Sequence, residues 1–152
     1  MSDALPRTRL ASLADLDALA PLLDAYRQFY EQAPDLARAR AYLGERMTRG
    51  ECVVYAALGA GSEIVGFTLL YPTFTSVGMA RIFILNDLFV TPAARGTRAS
   101  VALLEAAKAH ARASGALRLS LRTAHDNSRA QRVYEANGWR RDERFRQYDF
   151  VL

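Results

Sequence analysis

The sequence holds one cysteine, one lysine, one tryptophan and no long apolar run, and each scarcity removes a class of protein. With Cys52 alone no internal disulfide can form, so a disulfide scaffold is excluded and the fold must rest on a packed core. The flanks Gly50-Glu51-Cys52-Val53-Val54-Tyr55 read as a buried strand, so Cys52 is expected to be structural. No stretch approaches the roughly 18 to 20 uninterrupted apolar residues of a membrane span, and no membrane role is expected. Residues Met1 to Arg7 show no basic region followed by an apolar run. No signal peptide is therefore read, and a cytoplasmic location is the expectation. There is no zinc-finger or helix-turn-helix spacing, hence no expected metal and no expected nucleic-acid partner. Repeats, linkers and low-complexity tracts are also lacking.

What is present fits one domain over 1–152. A chain of 152 residues can bury roughly two thirds of its unfolded surface. Hydrophobic residues make up 51% and charged residues 24%, the balance of a globular protein. The net charge is +4, carried almost wholly by arginine, with Lys108 the sole lysine. This excess fits an anionic ligand without choosing between a nucleotide cofactor and a nucleic acid.

A short strand is expected near residues 5–10. Ser12-Leu13-Ala14-Asp15 supplies a helix cap with an acidic residue three places on. Leu13, Leu16, Leu19, Leu23, Tyr26 and Tyr30 then recur at helical spacing through about residue 30. Pro34-Asp35 opens a second helix to about Arg49. Residues 52–58 and 64–71 read as a hairpin around Gly59-Ala60-Gly61-Ser62. An irregular connection is expected over 72–78, and a long interior strand over 80–90. Residues 98–114 form an alanine- and leucine-rich helix stopped by Gly115. A strand over 117–123, a short helix over 128–137 and returning strands from Trp139 to Leu152 complete the pattern. The class is α/β (α+β mixed sheet): a mostly antiparallel twisted sheet of six to seven strands flanked by about four helices.

Chemistry concentrates after the long strand. Leu88-Phe89-Val90-Thr91-Pro92 leads through Ala93-Ala94 into Arg95-Gly96-Thr97-Arg98-Ala99-Ser100, a glycine-containing loop at a helix start. The first turn of a helix leaves backbone N–H groups unpaired, and the helix dipole favours an anion there, so a phosphate would fit. This loop resembles the core motif of the GCN5-related N-acetyltransferase (GNAT) superfamily: Arg or Gln, two residues, Gly, one residue, Gly or Ala. It keeps the arginine and the common Arg-Gly pair but places Arg98 and Ser100 where the family usually has glycine. A second match follows about thirty residues on. Asn127, Ala130, Tyr134 and Gly138-Trp139 are similar to the family's Asn, two residues, Ala, three residues, Tyr, three residues, Gly-Phe pattern. Coverage is clearest over 50–152, and Gly66-Phe67 with Asn86-Asp87-Leu88-Phe89-Val90 resembles the polyamine acetyltransferases and their bacterial relatives.

The resemblance implies a GNAT-like domain that transfers an acetyl group from acetyl-CoA to a primary amine by direct attack within a ternary complex. It implies cofactor contacts at Leu88, Phe89, Val90, at Arg95 through Ser100 (Gly96, Thr97, Arg98 and Ala99 included), and at Asn127, Ala130 and Tyr134. Tyr134 is implied to reach the CoA sulfur, and a backbone N–H near Phe89 or Val90 to support the oxyanion. Relatives usually carry glutamate where this chain has Asn86. The proton acceptor is therefore open among Asp87, a water ordered by Asn86, Glu31 and His125, with Asn86 and Asp87 preferred. Tyr26, Tyr30, Glu31, Tyr71 and Phe74 are candidates for the acceptor site. A small-molecule amine is the expected acceptor; protein or peptide amines, or a catalytically weak acetyl-CoA sensor, are the alternatives. A homodimer through sheet edges or the stretch Tyr148–Leu152 is a further expectation.

Overall fold

The computed structural model describes residues 4–152; Met1 to Asp3, part of the stretch read above for a signal peptide, lie outside the described residues. Five strands form a mixed sheet in the order β1 (Thr8–Leu10), β2 (Val53–Leu58), β3 (Ile64–Thr75), β4 (Ala80–Val90), β5 (Leu119–Leu121). Successive pairs are antiparallel except β4 with β5, which run parallel. Between β1 and β2 lie α1 (Leu16–Phe29) and α2 (Leu36–Thr48), while α3 (Ala99–Ala113) makes the crossover from β4 to β5. Among the described residues no helix is long and apolar enough to cross a membrane.

Side-chain alternation assigns the two faces. Val54 and Ala56 of β2 pair with Leu69 and Phe67 of β3. Val54, Phe67 and Leu69 pack with Leu16, Leu19 and Leu23 of α1 and Leu43 of α2. On the other face Ala57 packs with Ala99 and Leu103 of α3. Leu19, Leu43, Phe67, Leu69 and Leu103 are fully buried, each contributing about 1.5 to 3 kcal/mol of hydrophobic stabilisation. Asp15 accepts the Ser12 N–H at 2.9 Å and is gripped by Arg9 at 2.7 Å, which ties β1 to the entry of α1. Arg9 is the main reason the Asp15 carboxyl falls to about 2, helped by the Ser12 bond.

Gly66 has a steric reason. A Cβ there would lie 2.7 Å from the Phe89 carbonyl oxygen, so only glycine lets β3 and β4 approach as they do.

Two expectations need correction. The stretch 72–75 is strand, because β3 continues opposite β4 as far as Thr75. Pro72 is tolerated because β2 ends its pairing at Leu70, leaving that side of β3 without a strand that needs the missing N–H. The sheet has five strands instead of six to seven, since no strand occurs over 139–152.

Residues 122–152 form a compact unit of their own, described by itself. Its helix, α4 (Ser128–Ala136), starts at Asn127, whose side-chain oxygen accepts the Ala130 N–H at 3.2 Å. It ends with the Trp139 N–H donating to the Tyr134 carbonyl at 3.0 Å, and the Tyr134 and Trp139 rings lie 6.1 Å apart.

Candidate active site

A β-bulge shapes the middle of β4. Leu69 pairs with Asp87 but Leu70 pairs with Leu85, so Asn86 is an extra residue without a partner on β3. One inserted residue reverses which face each later side chain takes. Before the bulge Phe83 lies on the α3 face, its ring 5.4 Å from that of His110. After the bulge Asp87 and Phe89 lie opposite Leu69 and Phe67, on the α1/α2 face. Without the insertion Asp87 would point at α3.

Three side chains hold this bulge. Tyr26 of α1 donates its hydroxyl to the Asn86 carbonyl at 3.3 Å, and Thr68 donates to the Asp87 carbonyl at 2.8 Å. The Asn86 Nδ2 donates to Asp87 Oδ1 at 2.8 Å. Asp87 is 5% exposed, and that burial raises its carboxyl from 3.8 to about 6 against the lowering effect of the Asn86 bond. A carboxylate near 6 is mostly ionised at neutral pH yet still holds protons well, the property a general base requires.

Aromatic residues surround it. Tyr26 meets Phe67, Phe89 and Tyr30 edge-on, at 6.3, 6.3 and 5.1 Å. The Tyr71 and Tyr42 hydroxyls lie 2.5 Å apart. Burial, and then the Tyr42 bond, pushes Tyr71 far above the ordinary phenol range, so it stays protonated as a donor. Burial likewise raises the Cys52 thiol to about 11, which removes it as a nucleophile at neutral pH. Tyr42 stands on α2 and is 43% exposed. Its pairing with Tyr71 follows from α2 crossing β3, which no sequence spacing reveals.

The structure brings Tyr26, Tyr30, Tyr71, Asn86 and Asp87 to one face of the sheet. It does not bring Phe74 there, because three residues beyond Tyr71 the alternation turns it to the other face, under the Arg81 guanidinium at 5.0 Å. Glu31 sits exposed just past the end of α1 with φ 61°. His125 is exposed, and its carbonyl accepts from Gln131 at 3.0 Å within the turn before α4.

The loop after β4 has the geometry of an anion cradle. Pro92–Ala94 forms a 3-10 turn, and the Thr97 hydroxyl donates to the Ala94 carbonyl at 2.6 Å. Gly96 has φ 84° and Arg98 φ 66°, two left-handed residues that swing the chain into α3. Open space surrounds the Cα of Gly96, so backbone conformation alone calls for glycine. At the entry of α3 the Ala102 N–H donates to the Arg98 carbonyl at 3.0 Å. The amides of Ala99, Ser100 and Val101 thus form the donor end of the helix. Arg95 to Arg98 are exposed, while Ala99 is 2% exposed and anchors the turn. The donor set, backbone amides with two guanidiniums, fits a pyrophosphate. Because β5 pairs with β4 only over Phe83–Leu85, residues 86–90 have no strand on that side and offer backbone groups to an amide-bearing arm.

These features have counterparts in known proteins. The chain is 49% identical over 140 residues to the uncharacterized N-acetyltransferase YhfO of Bacillus subtilis, covering 92% of this chain and 93% of that one. It is 34% identical over 94 residues to a Haemophilus influenzae protein named a probable acetyltransferase, covering 62% and 64%. A crystal structure of a probable acetyltransferase superposes with TM-score 0.91 at 39% identity, covering 96% of this chain and 97% of that one. The model of the acetyltransferase (GNAT) family matches residues 16–139. The chain belongs to the acetyltransferase (GNAT) family and is an N-acetyltransferase.

Proposed function

We propose that this enzyme moves the acetyl group of acetyl-CoA to the primary amine of a small molecule, with Asp87 taking the amine proton. The observation that carries this is the buried Asp87, turned by the Asn86 bulge onto the face that also holds Tyr26 and Tyr71. An amine with a pKa of about 10.4 costs roughly 4.6 kcal/mol to deprotonate at neutral pH, so an adjacent base is needed. The nitrogen lone pair forms the new N–C bond, the C–S bond breaks, and the amine proton passes to Asp87 directly or through one water.

Acetyl-CoA supplies an activated thioester when bound. Arg95, Arg98 and the amides at the start of α3 would hold its pyrophosphate. Asn127, whose side-chain oxygen caps α4, is the family-motif residue proposed for the pantetheine arm. The Tyr134 hydroxyl would give its proton to the departing sulfur. A polyamine-like acceptor would be drawn to the buried carboxylate of Asp87 on the sheet face that also carries Tyr26 and Tyr71.

The test is release of the CoA thiol across a panel of polyamines, amino acids, aminoglycosides and peptides at several pH values. Amine-dependent release that rises with pH through about 6 supports the reading. Thermal stabilisation by acetyl-CoA without thiol release from any amine would sink it.

A further inference from the structure

A polar side chain lies where packing alone calls for none. Thr68 is wholly buried, in the middle of a row across the sheet with Tyr55 of β2 on one side and Leu88 of β4 on the other. Both neighbours pack against the cluster of Ala57, Ala99 and Leu103, so the row faces α3. Valine would fill the same space and leave no hydroxyl to satisfy, since a buried hydroxyl costs free energy unless it finds a partner. The Thr68 hydroxyl finds the Asp87 carbonyl, at 2.8 Å.

That bond acts through the sheet. The Asp87 side chain lies opposite Leu69 on the α1/α2 face, while Thr68 stands on the other face. The carbonyl it grips belongs to the peptide joining Asp87 to Leu88. A peptide is planar and moves as one body, so fixing its oxygen fixes the bond that leaves the Asp87 Cα. The peptide entering Asp87 is held the same way, because Tyr26 of α1 donates to the Asn86 carbonyl at 3.3 Å. Two hydroxyls, one from each face, thus hold the two peptides that flank one Cα. At a bulge the ladder is locally disrupted and fixes those peptides less well than in a regular strand. With both held, φ and ψ of Asp87 are set, and with them the direction of its Cα–Cβ bond.

We propose that Thr68 is a positioning residue for acetyl transfer: its hydroxyl, acting from the α3 side of the sheet, sets the direction in which the Asp87 carboxylate meets the amine. Wholly buried, Thr68 touches no substrate and acts through the Asp87 backbone. The inference rests on the reading of Asp87 as the proton acceptor. A catalytic group misplaced by about 1 Å costs roughly 10²-fold in rate. The loss should fall on kcat, with KM for acetyl-CoA changed by no more than about twofold, since the removed interaction serves the reacting geometry and not cofactor binding.

Thiol-release kinetics with acetyl-CoA and the amine of the panel that the wild type acetylates fastest test this. Thr68→Val should lower kcat by about 10- to 100-fold, and Thr68→Ser, which keeps the donor, should restore it. In an Asp87→Asn background Thr68→Val should cost little more, because the carboxylate it would misdirect is gone. Should the valine variant fail to fold by circular dichroism, Thr68→Cys, whose thiol is a poor donor, takes its place in the same cycle. An unchanged kcat, even with a lowered Tm, would make Thr68 structural only and overturn the proposal. A loss of the same size in the Asp87→Asn background would overturn it too, since Thr68 would then act on something other than that carboxylate. Failure of the underlying reading shows differently: Asp87→Asn alone would keep its activity.

Discussion

Asp87→Asn should make the protein more stable and much less active. The carboxyl is 5% exposed and its folded value stands near 6 against an ordinary 3.8. A raised acid favours folding when protonated and opposes it when ionised. The penalty is absent below about 3.8, grows between there and about 6, and is constant above. At about 1.36 kcal/mol per tenfold change in proton affinity, it amounts to about 3 kcal/mol at neutral pH. Asparagine keeps the size, and its side-chain oxygen can still accept from Asn86, so no cavity forms and only the new amide N–H groups, in place of the second carboxylate oxygen, take something off that figure. A gain of about 2 to 3 kcal/mol corresponds to a rise in Tm of roughly 4 to 10 °C for a chain of this length. Thermal melts of both proteins at about pH 7.5 and about pH 4 read this directly, since the gain should vanish at the lower pH. Thiol-release assays on the same samples should show kcat/KM reduced by about 10²- to 10⁴-fold. A Tm at neutral pH equal to or below that of the wild type would refute the placement of an ionised carboxylate in a dry site. Retained activity would remove Asp87 from proton transfer.

Tyr134→Phe should lower kcat at least about tenfold with modest change in acetyl-CoA affinity, as expected for a proton donor acting late in the reaction; steady-state kinetics with titration calorimetry check both. Gly66→Ala should destabilise by about 1 to 3 kcal/mol, because the added methyl meets the backbone oxygen of Phe89 at 2.7 Å, and an unchanged urea midpoint would contradict that contact. Arg98→Gly should raise stability by about 1 kcal/mol by relieving a side chain held at φ 66°. It should also weaken acetyl-CoA binding severalfold through the lost charge, and a lowered Tm would show that the arginine side chain outweighs the strain.

Several features were legible in the residues. Gly96 at a helix start, the short helix over 128–137 and the interior apolar strand 80–90 each rest on local chemistry that the chain carries with it. The Asn127 cap and the turn at Gly96 would be needed in any fold that contains those helices. The sheet's size was overread because Phe145, Tyr148 and Phe150 have strand-forming side chains. Such residues state a preference for burial and pairing, but not which strand receives them. Pro72 was read as a break, although proline interrupts a strand only where its missing N–H is needed.

The sequence by itself determined the order of elements through α4, the glycine-containing turn at the start of α3 and the family motifs, since helix capping, left-handed turns and hydrophobic period act over a few residues. Only the tertiary structure decided what Asp87 is. Its identity as a dry, elevated carboxylate depends on one unpaired residue in β4, on Tyr26 and Thr68 holding that bulge, and on α1 and α2 excluding water above it. Burial and facing arise between segments distant along the chain, and the same Asn86-Asp87 pair in a regular strand would turn the carboxylate to the opposite face.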